Sequence, residues 1–90
     1  ENTYEIDLVG LNERTKEILF GECKWKDRVN PKKILEELVE KSEQVPWPNR
    51  ERKESFAIFA KSFSKKIEEF ESRKVYCFDL KDLERLVNNF

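Results

Sequence analysis

Residues 4–26 read YEIDLVGLNERTKEILFGECKWK, and how this stretch pairs with itself decides the fold. Leu8-Val9-Gly10-Leu11 and Ile18-Leu19-Phe20 are apolar and partly β-branched or aromatic, as strands prefer. Between them Asn12-Glu13-Arg14-Thr15-Lys16 is polar and turn-forming. A loop running from Glu13 to Lys16 sets Asn12 opposite Glu17, Leu11 opposite Ile18 and Val9 opposite Phe20. Continued outward, the same register sets Asp7 opposite Glu22 and Glu5 opposite Lys24. Side chains alternate between faces with a period of two. One face then carries Glu5, Asp7, Val9, Leu11, Ile18, Phe20, Glu22 and Lys24. The other carries Ile6, Leu8, Gly10, Leu19, Gly21, Cys23 and Trp25. Both faces are largely apolar, so both are expected to be covered.

This register opposes Asp7 and Glu22 directly in a partly buried setting. Like charges so placed destabilise a sheet, and burial raises the cost of ionising them. A divalent cation shared by the two carboxylates removes the conflict, and hard oxygen ligands on a rigid strand pair suit Mg²⁺ or Mn²⁺. Lys24 is next on the same face. Its ammonium could hold a scissile phosphate or orient an attacking water, which is what metal-dependent phosphodiester hydrolysis needs. The same residues also allow an arrangement without metal: a cross-strand ion pair of Glu5 and Lys24, with Asp7 and Glu22 at a wet rim. Glu-x-Lys is common in a chain that is 41% charged. Glu51-x-Lys53 fits it and Asp79-x-Lys81 fits a looser form. Only Glu22-Cys23-Lys24 lies in an apolar strand with an acid on the partner strand.

The 90 residues are read as one domain spanning 1–90, large enough for a modest core without staples. With a net charge of −1 the whole domain is not a basic nucleic-acid binder, so any phosphate binding must be local. No apolar run reaches the roughly 18 residues of a membrane span and no signal peptide is present, so a cytoplasmic protein without a membrane partner is expected. The chain opens at Glu1 and contains no Met. It is therefore expected to be a fragment of a longer protein. Absence of His excludes Cys–His and Ser–His catalysis within this chain. Gly10 and Gly21 make no phosphate loop, so an ATP site would lie elsewhere. Cys23 and Cys77 lack metal-ligand spacing and read as buried free thiols. Heavy Lys, Glu and Arg use resembles hyperthermophile composition.

Beyond Trp25 a polar loop leads to Asn30-Pro31, an N-cap followed by the residue best suited to the first helical position. Ile34, Leu35, Leu38 and Val39 recur at helical spacing to about Gln44. Lys24, Lys26, Arg28, Lys32 and Lys33 form a local basic cluster, which is either a phosphate-backbone contact or a solvated loop. Val45-Pro46-Trp47-Pro48 breaks the helix; Trp47 either stacks on a base or covers a core edge. Arg50, Arg52 and Lys53 read as a second, solvated cationic patch. Ser55-Phe56-Ala57-Ile58-Phe59-Ala60 reads as a central strand buried on both faces. Ser62 or Ser64 caps a predicted helix with Phe63, Ile67 and Phe70 inward. Val75-Tyr76-Cys77-Phe78 is a further strand, and Asp79 caps a last helix with Leu80, Leu83, Leu86 and Val87 inward. The predicted fold is α/β: a small mixed β-sheet, an antiparallel hairpin plus parallel strands, flanked by helices in the order β-β-α-β-α-β-α.

An Asp on one strand, Glu-x-Lys on the next, then a helix and a buried strand resembles the restriction-endonuclease-like superfamily, PD-(D/E)XK. The carriers are Asp7 in Glu5-Ile6-Asp7-Leu8-Val9 and Glu22-Cys23-Lys24 in Phe20-Gly21-Glu22-Cys23-Lys24-Trp25. More narrowly, EIDLVGLN, ILFGECKW, Val45-Pro46-Trp47 and Phe78-Asp79-Leu80-Lys81-Asp82-Leu83 are similar to the uncharacterised C-terminal domain of archaeal and bacterial ATPases of the AAA/STAND type. The resemblance implies Mg²⁺ or Mn²⁺ on Asp7, Glu22 and the Cys23 carbonyl, with Asp7, Glu22 and Lys24 catalytic. It implies DNA as substrate and an upstream ATPase domain in the same chain as partner; in the phosphate-contact reading of the basic cluster, Lys26, Arg28, Lys32 and Lys33 are the candidate nucleic-acid contacts. The superfamily usually adds an acid from a helix before the first acidic strand, and that helix is missing here; Glu5 is a substitute candidate. It also contains members that keep the fold without activity, so a docking module for DNA or protein is the alternative function.

Overall fold

The computed structural model describes residues 6–47 and 51–89. It begins with the predicted hairpin, β1 (Leu8–Asn12) and β2 (Glu17–Lys24). The antiparallel register runs Asn12 to Glu17, Leu11 to Ile18, Val9 to Phe20, as expected from the loop length. Asn12 closes that loop: its Oδ1 accepts the amides of Arg14 (3.2 Å) and Thr15 (3.3 Å), and Lys16 takes a positive φ of 60° to re-enter the strand. Pairing stops at Leu8 and Gly21, where a Cβ on residue 21 would come within 3.1 Å of the Leu8 side chain. Glycine lets Leu8 lie over the strand at that point.

β2 then pairs in parallel with β3 (Lys53–Ala60), and β3 in parallel with β5 (Arg73–Phe78). The sheet order is β1-β2-β3-β5-β4, with β4 (Glu69–Phe70) antiparallel to β5 at the edge. The predicted mixed α/β sheet is thus present. Helix α1 (Pro31–Ser42) starts as the sequence indicates, with Asn30 Oδ1 accepting the Lys32 amide at 3.1 Å. It lays Ile34, Leu35 and Leu38 on Ile18, Phe20, Phe56, Ile58 and Val75, which form the core with it. Trp47 packs against this core, as an edge cover does.

Two expectations about the architecture fail. The predicted helix after Ser62 does not form, so the element order is β-β-α-β-β-β-α. Residues 61–64 are held by the loop beside β2 instead. The Arg28 amide donates to Ser62 Oγ (2.8 Å), the Val29 amide to the Ser62 carbonyl (3.0 Å), and the Ser64 amide to the Val29 carbonyl (3.0 Å). The Ser62 carbonyl and hydroxyl, which a helix starting here would use for its first intrahelical bond and its cap, are thereby taken. Phe63, Ile67 and Phe70 still pack on the core, so their inward direction was right and their conformation was not.

The second failure is the expectation that both sheet faces are covered. Among the described residues, α1 covers one face only. The other face is an open groove of about 520 Å³ whose apolar side chains include Leu19, Ala57, Phe59, Tyr76 and Phe78. Phe59 stacks on Phe78 (centroids 5.3 Å apart) and Phe78 on Tyr76 (6.2 Å). Helix α2 (Leu80–Asn88) has the expected Asp79 cap, completed as a box by Asp82, but buries none of its residues. Leu86 and Val87, expected inward, are 58% and 68% exposed. Both cysteines are free as expected, but Cys23, expected buried, is exposed on the uncovered face, and Cys77 is half-buried.

Candidate functional site

The proposed site lies where β2 ends beneath α1. Glu22 sits on the α1 side of β2, level with Ile58 of β3, and is only 7% exposed. Period-two alternation puts it in line with Ile18 and Phe20, so the geometry that buries those two buries a carboxylate as well. Its Oε1 accepts from Lys41 Nζ at 3.3 Å, a lysine in the last turn of α1. Sequence reasoning missed Lys41. The available signal was its place on the helix next to Leu38 and Ser42, both of which face the sheet.

Asp7, expected to be partly buried, stands one residue before β1 and is exposed, because the pairing of β1 with β2 ends at Leu8. Its Oδ2 accepts the Cys23 amide at 2.8 Å, so its carboxylate is anchored on the peptide that follows Glu22. The hairpin register, extended one step past its last pair, explains why Asp7 reaches that peptide. Cys23 turns its own side chain to the opposite, exposed side. Glu5 lies outside the described residues.

Lys24 closes β2 and is half-buried. It lines a groove of about 280 Å³ with Lys26, Asn30, Lys33 and Glu37. Three of the five predicted basic residues, Lys24, Lys26 and Lys33, therefore share one opening. Arg28 and Lys32 do not line it. Arg28 turns the chain with a positive φ of 54°, and its amide is spent on Ser62.

Two carboxylates and a peptide carbonyl are hard oxygen donors, the right kind for Mg²⁺ or Mn²⁺. Among the described residues no group of three acidic or cysteine side chains gathers; the donor set fits in kind, with Asp7 anchored on the peptide that follows Glu22. Among the described residues no helix is long and apolar enough to cross a membrane.

Fold and site together define a small mixed-sheet α/β domain with an acid at the mouth of a hairpin and Glu-x-Lys closing the adjacent strand. The family described as "Archaea bacterial proteins of unknown function" (DUF234) matches residues 1–45, half of the chain, and the chain belongs to that family. An uncharacterised protein of Methanocaldococcus jannaschii, MJECL04, is 41% identical over 80 residues. That alignment takes in 87% of this chain and 17% of that protein, so the chain spans about a sixth of its curated relative's length. No solved structure matches the chain at a significant level.

Proposed function

We propose that the domain is a divalent-metal-dependent phosphodiester hydrolase module of the PD-(D/E)XK kind, acting on DNA alongside an ATPase domain in the same longer chain. The observation that carries this reading is an Asp7 carboxylate fixed on the peptide that follows a buried Glu22, with Lys24 next on that strand face and lining an opening shared with Lys26 and Lys33. Asp7, Glu22 and the Cys23 carbonyl would hold Mg²⁺ or Mn²⁺; when bound, such an ion polarises phosphate and lowers the pKa of water. Burial of Glu22 keeps its charge poorly solvated and so a strong partner for a cation. The Cys23 amide holds the Asp7 carboxylate in one orientation. Lys24 presents an ammonium to the negative charge that grows on phosphate during attack. Lys26 and Lys33 face the same opening and would neutralise neighbouring backbone phosphates.

The test is Mn²⁺-dependent nicking of supercoiled plasmid. Asp7→Ala and Glu22→Ala should each lose about 100-fold or more of the rate, and Lys24→Ala a comparable part. Nicking that persists unchanged in the acid variants rejects the assignment. A second reading, an inactive docking module, draws support from the Lys41 ammonium already resting on Glu22 and from the two-acid count. It requires that calorimetric titration with Mn²⁺ find no site that Glu22→Gln removes.

A further inference from the structure

Lys41 reaches Glu22 from the far end of α1, at a distance of 3.3 Å, with its own side chain 22% exposed. The pair joins helix to sheet across the core, and no other cation is bonded to Glu22 among the described residues. A buried carboxylate without a counter-charge is costly. The ammonium meets that need with one oxygen, Oε1, the same group a metal ion would draw on. The two cations are then rivals for one carboxylate.

We infer that Lys41 is a positioning residue for this site: it supplies the counter-charge that fixes the Glu22 side chain in place while no metal is present, and it must swing away when a divalent cation arrives. This rests on the metal reading proposed above and adds the residue that sets metal affinity. Occupation of the site becomes an exchange of one counter-ion for another, so the affinity for metal is lowered by whatever the ion pair contributes. A lysine suits this role, being a single flexible point charge that can leave for solvent through the part of its side chain already exposed.

Two measurements on the 90-residue chain test it. The first uses the unaltered protein: acylation of each lysine with an amine-reactive ester, read by mass spectrometry with and without Mn²⁺. Labelling of Lys41 should rise several-fold on Mn²⁺ addition, while Lys81, on the outer helix, stays constant. The second is calorimetric titration with Mn²⁺ of the parent, Lys41→Met, Lys41→Arg and Glu22→Gln proteins. Lys41→Met should bind about tenfold more tightly, the scale of one lost competing ion pair. Lys41→Arg should stay near the parent, and Glu22→Gln should not bind. Mn²⁺ binding to the parent with unchanged Lys41 labelling, or equal affinity in Lys41→Met, overturns the role of Lys41 and leaves the metal site standing. Absence of Mn²⁺ binding in the parent and in Lys41→Met overturns both.

Discussion

Arg52 shows how much one side chain can organise. Its Nε donates to Glu54 Oε2 (2.7 Å), Nη2 to the Ser42 carbonyl (2.6 Å), and Nη1 to the carbonyls of Trp47 (2.8 Å) and Val45. The guanidinium also lies over the Phe20 ring, 5.6 Å from its centroid. One planar fork thus ties the end of α1 and the Pro-Trp segment to the start of β3. Glu54 answers with its second oxygen to Arg73 (2.7 Å), linking β5 into the same network. Arg52→Met should destabilise the fold by about 3 kcal/mol or more, because Glu54 and three carbonyls lose their partner in a nearly closed setting. Arg52→Lys should recover little, since one ammonium cannot replace a five-donor fork. Urea unfolding measures both; a loss under about 1 kcal/mol in Arg52→Met would contradict the assigned role. The sequence places Arg52 in a solvated cationic patch because its neighbours are charged. Most of its partners are main-chain carbonyls, and a main-chain carbonyl has no signature in residue identity. Glu22 differs: strand alternation places it among Ile18 and Phe20, so its burial was readable, though its partner on α1 was not.

At the scale of elements, the hairpin was legible because loop length and apolar pattern agree on one register. The stretch after Ala60 was not. Phe63, Ile67 and Phe70 carry helical spacing, yet the chain there satisfies its backbone on the loop beside β2 and then turns into β4. The β4–β5 turn places Glu71 (φ 49°) and Ser72 (φ 64°) at its two central positions, the pattern of a type I′ turn built without its preferred residues. Replacing them with Asn-Gly should raise stability by about 1 kcal/mol, because each L-residue held in left-handed backbone costs about that much. Unchanged urea midpoints would show that the turn carries no such strain. Helix α2 depends on its cap. The Lys66 ammonium, bonded to Asp82 at 2.5 Å, holds the Asp82 carboxyl down to about 2 from its ordinary 3.8, with the Asp79 amide assisting. A carboxyl lowered on folding stabilises the native state above its unfolded value and loses that contribution as the pH falls through its folded one. The parent should therefore lose stability between about pH 4 and 2 more steeply than Asp82→Asn. Parallel pH slopes for the two proteins would remove Asp82 from the account of the cap.

For the whole molecule, the sheet has two faces with opposite fates. Under α1, Phe56 is fully buried; on the other side, Tyr76 is 39% exposed in the open groove. The sequence shows both as apolar strand residues, and strand periodicity states only which residues share a face. What lies over a face depends on helix placement, and the helix expected after Ser62 does not form. Glu22 and Lys24 of the candidate metal site belong to the covered face, at the end of β2, while the groove belongs to its reverse. The two should respond independently, since substitutions that share no partners usually act additively. An exposed apolar patch of this kind should bind the dye ANS in the folded state. Tyr76→Thr should lower that fluorescence and cost about 1 kcal/mol or less, the share of one exposed aromatic stack. Mn²⁺ titration of that variant should match the parent. Phe56→Ala should cost about 3–5 kcal/mol, the effect of a cavity beneath α1. If Tyr76→Thr instead destabilised the domain as severely as Phe56→Ala, the groove would have to be part of the folding core, and the division of the sheet into a site face and an open face would fail.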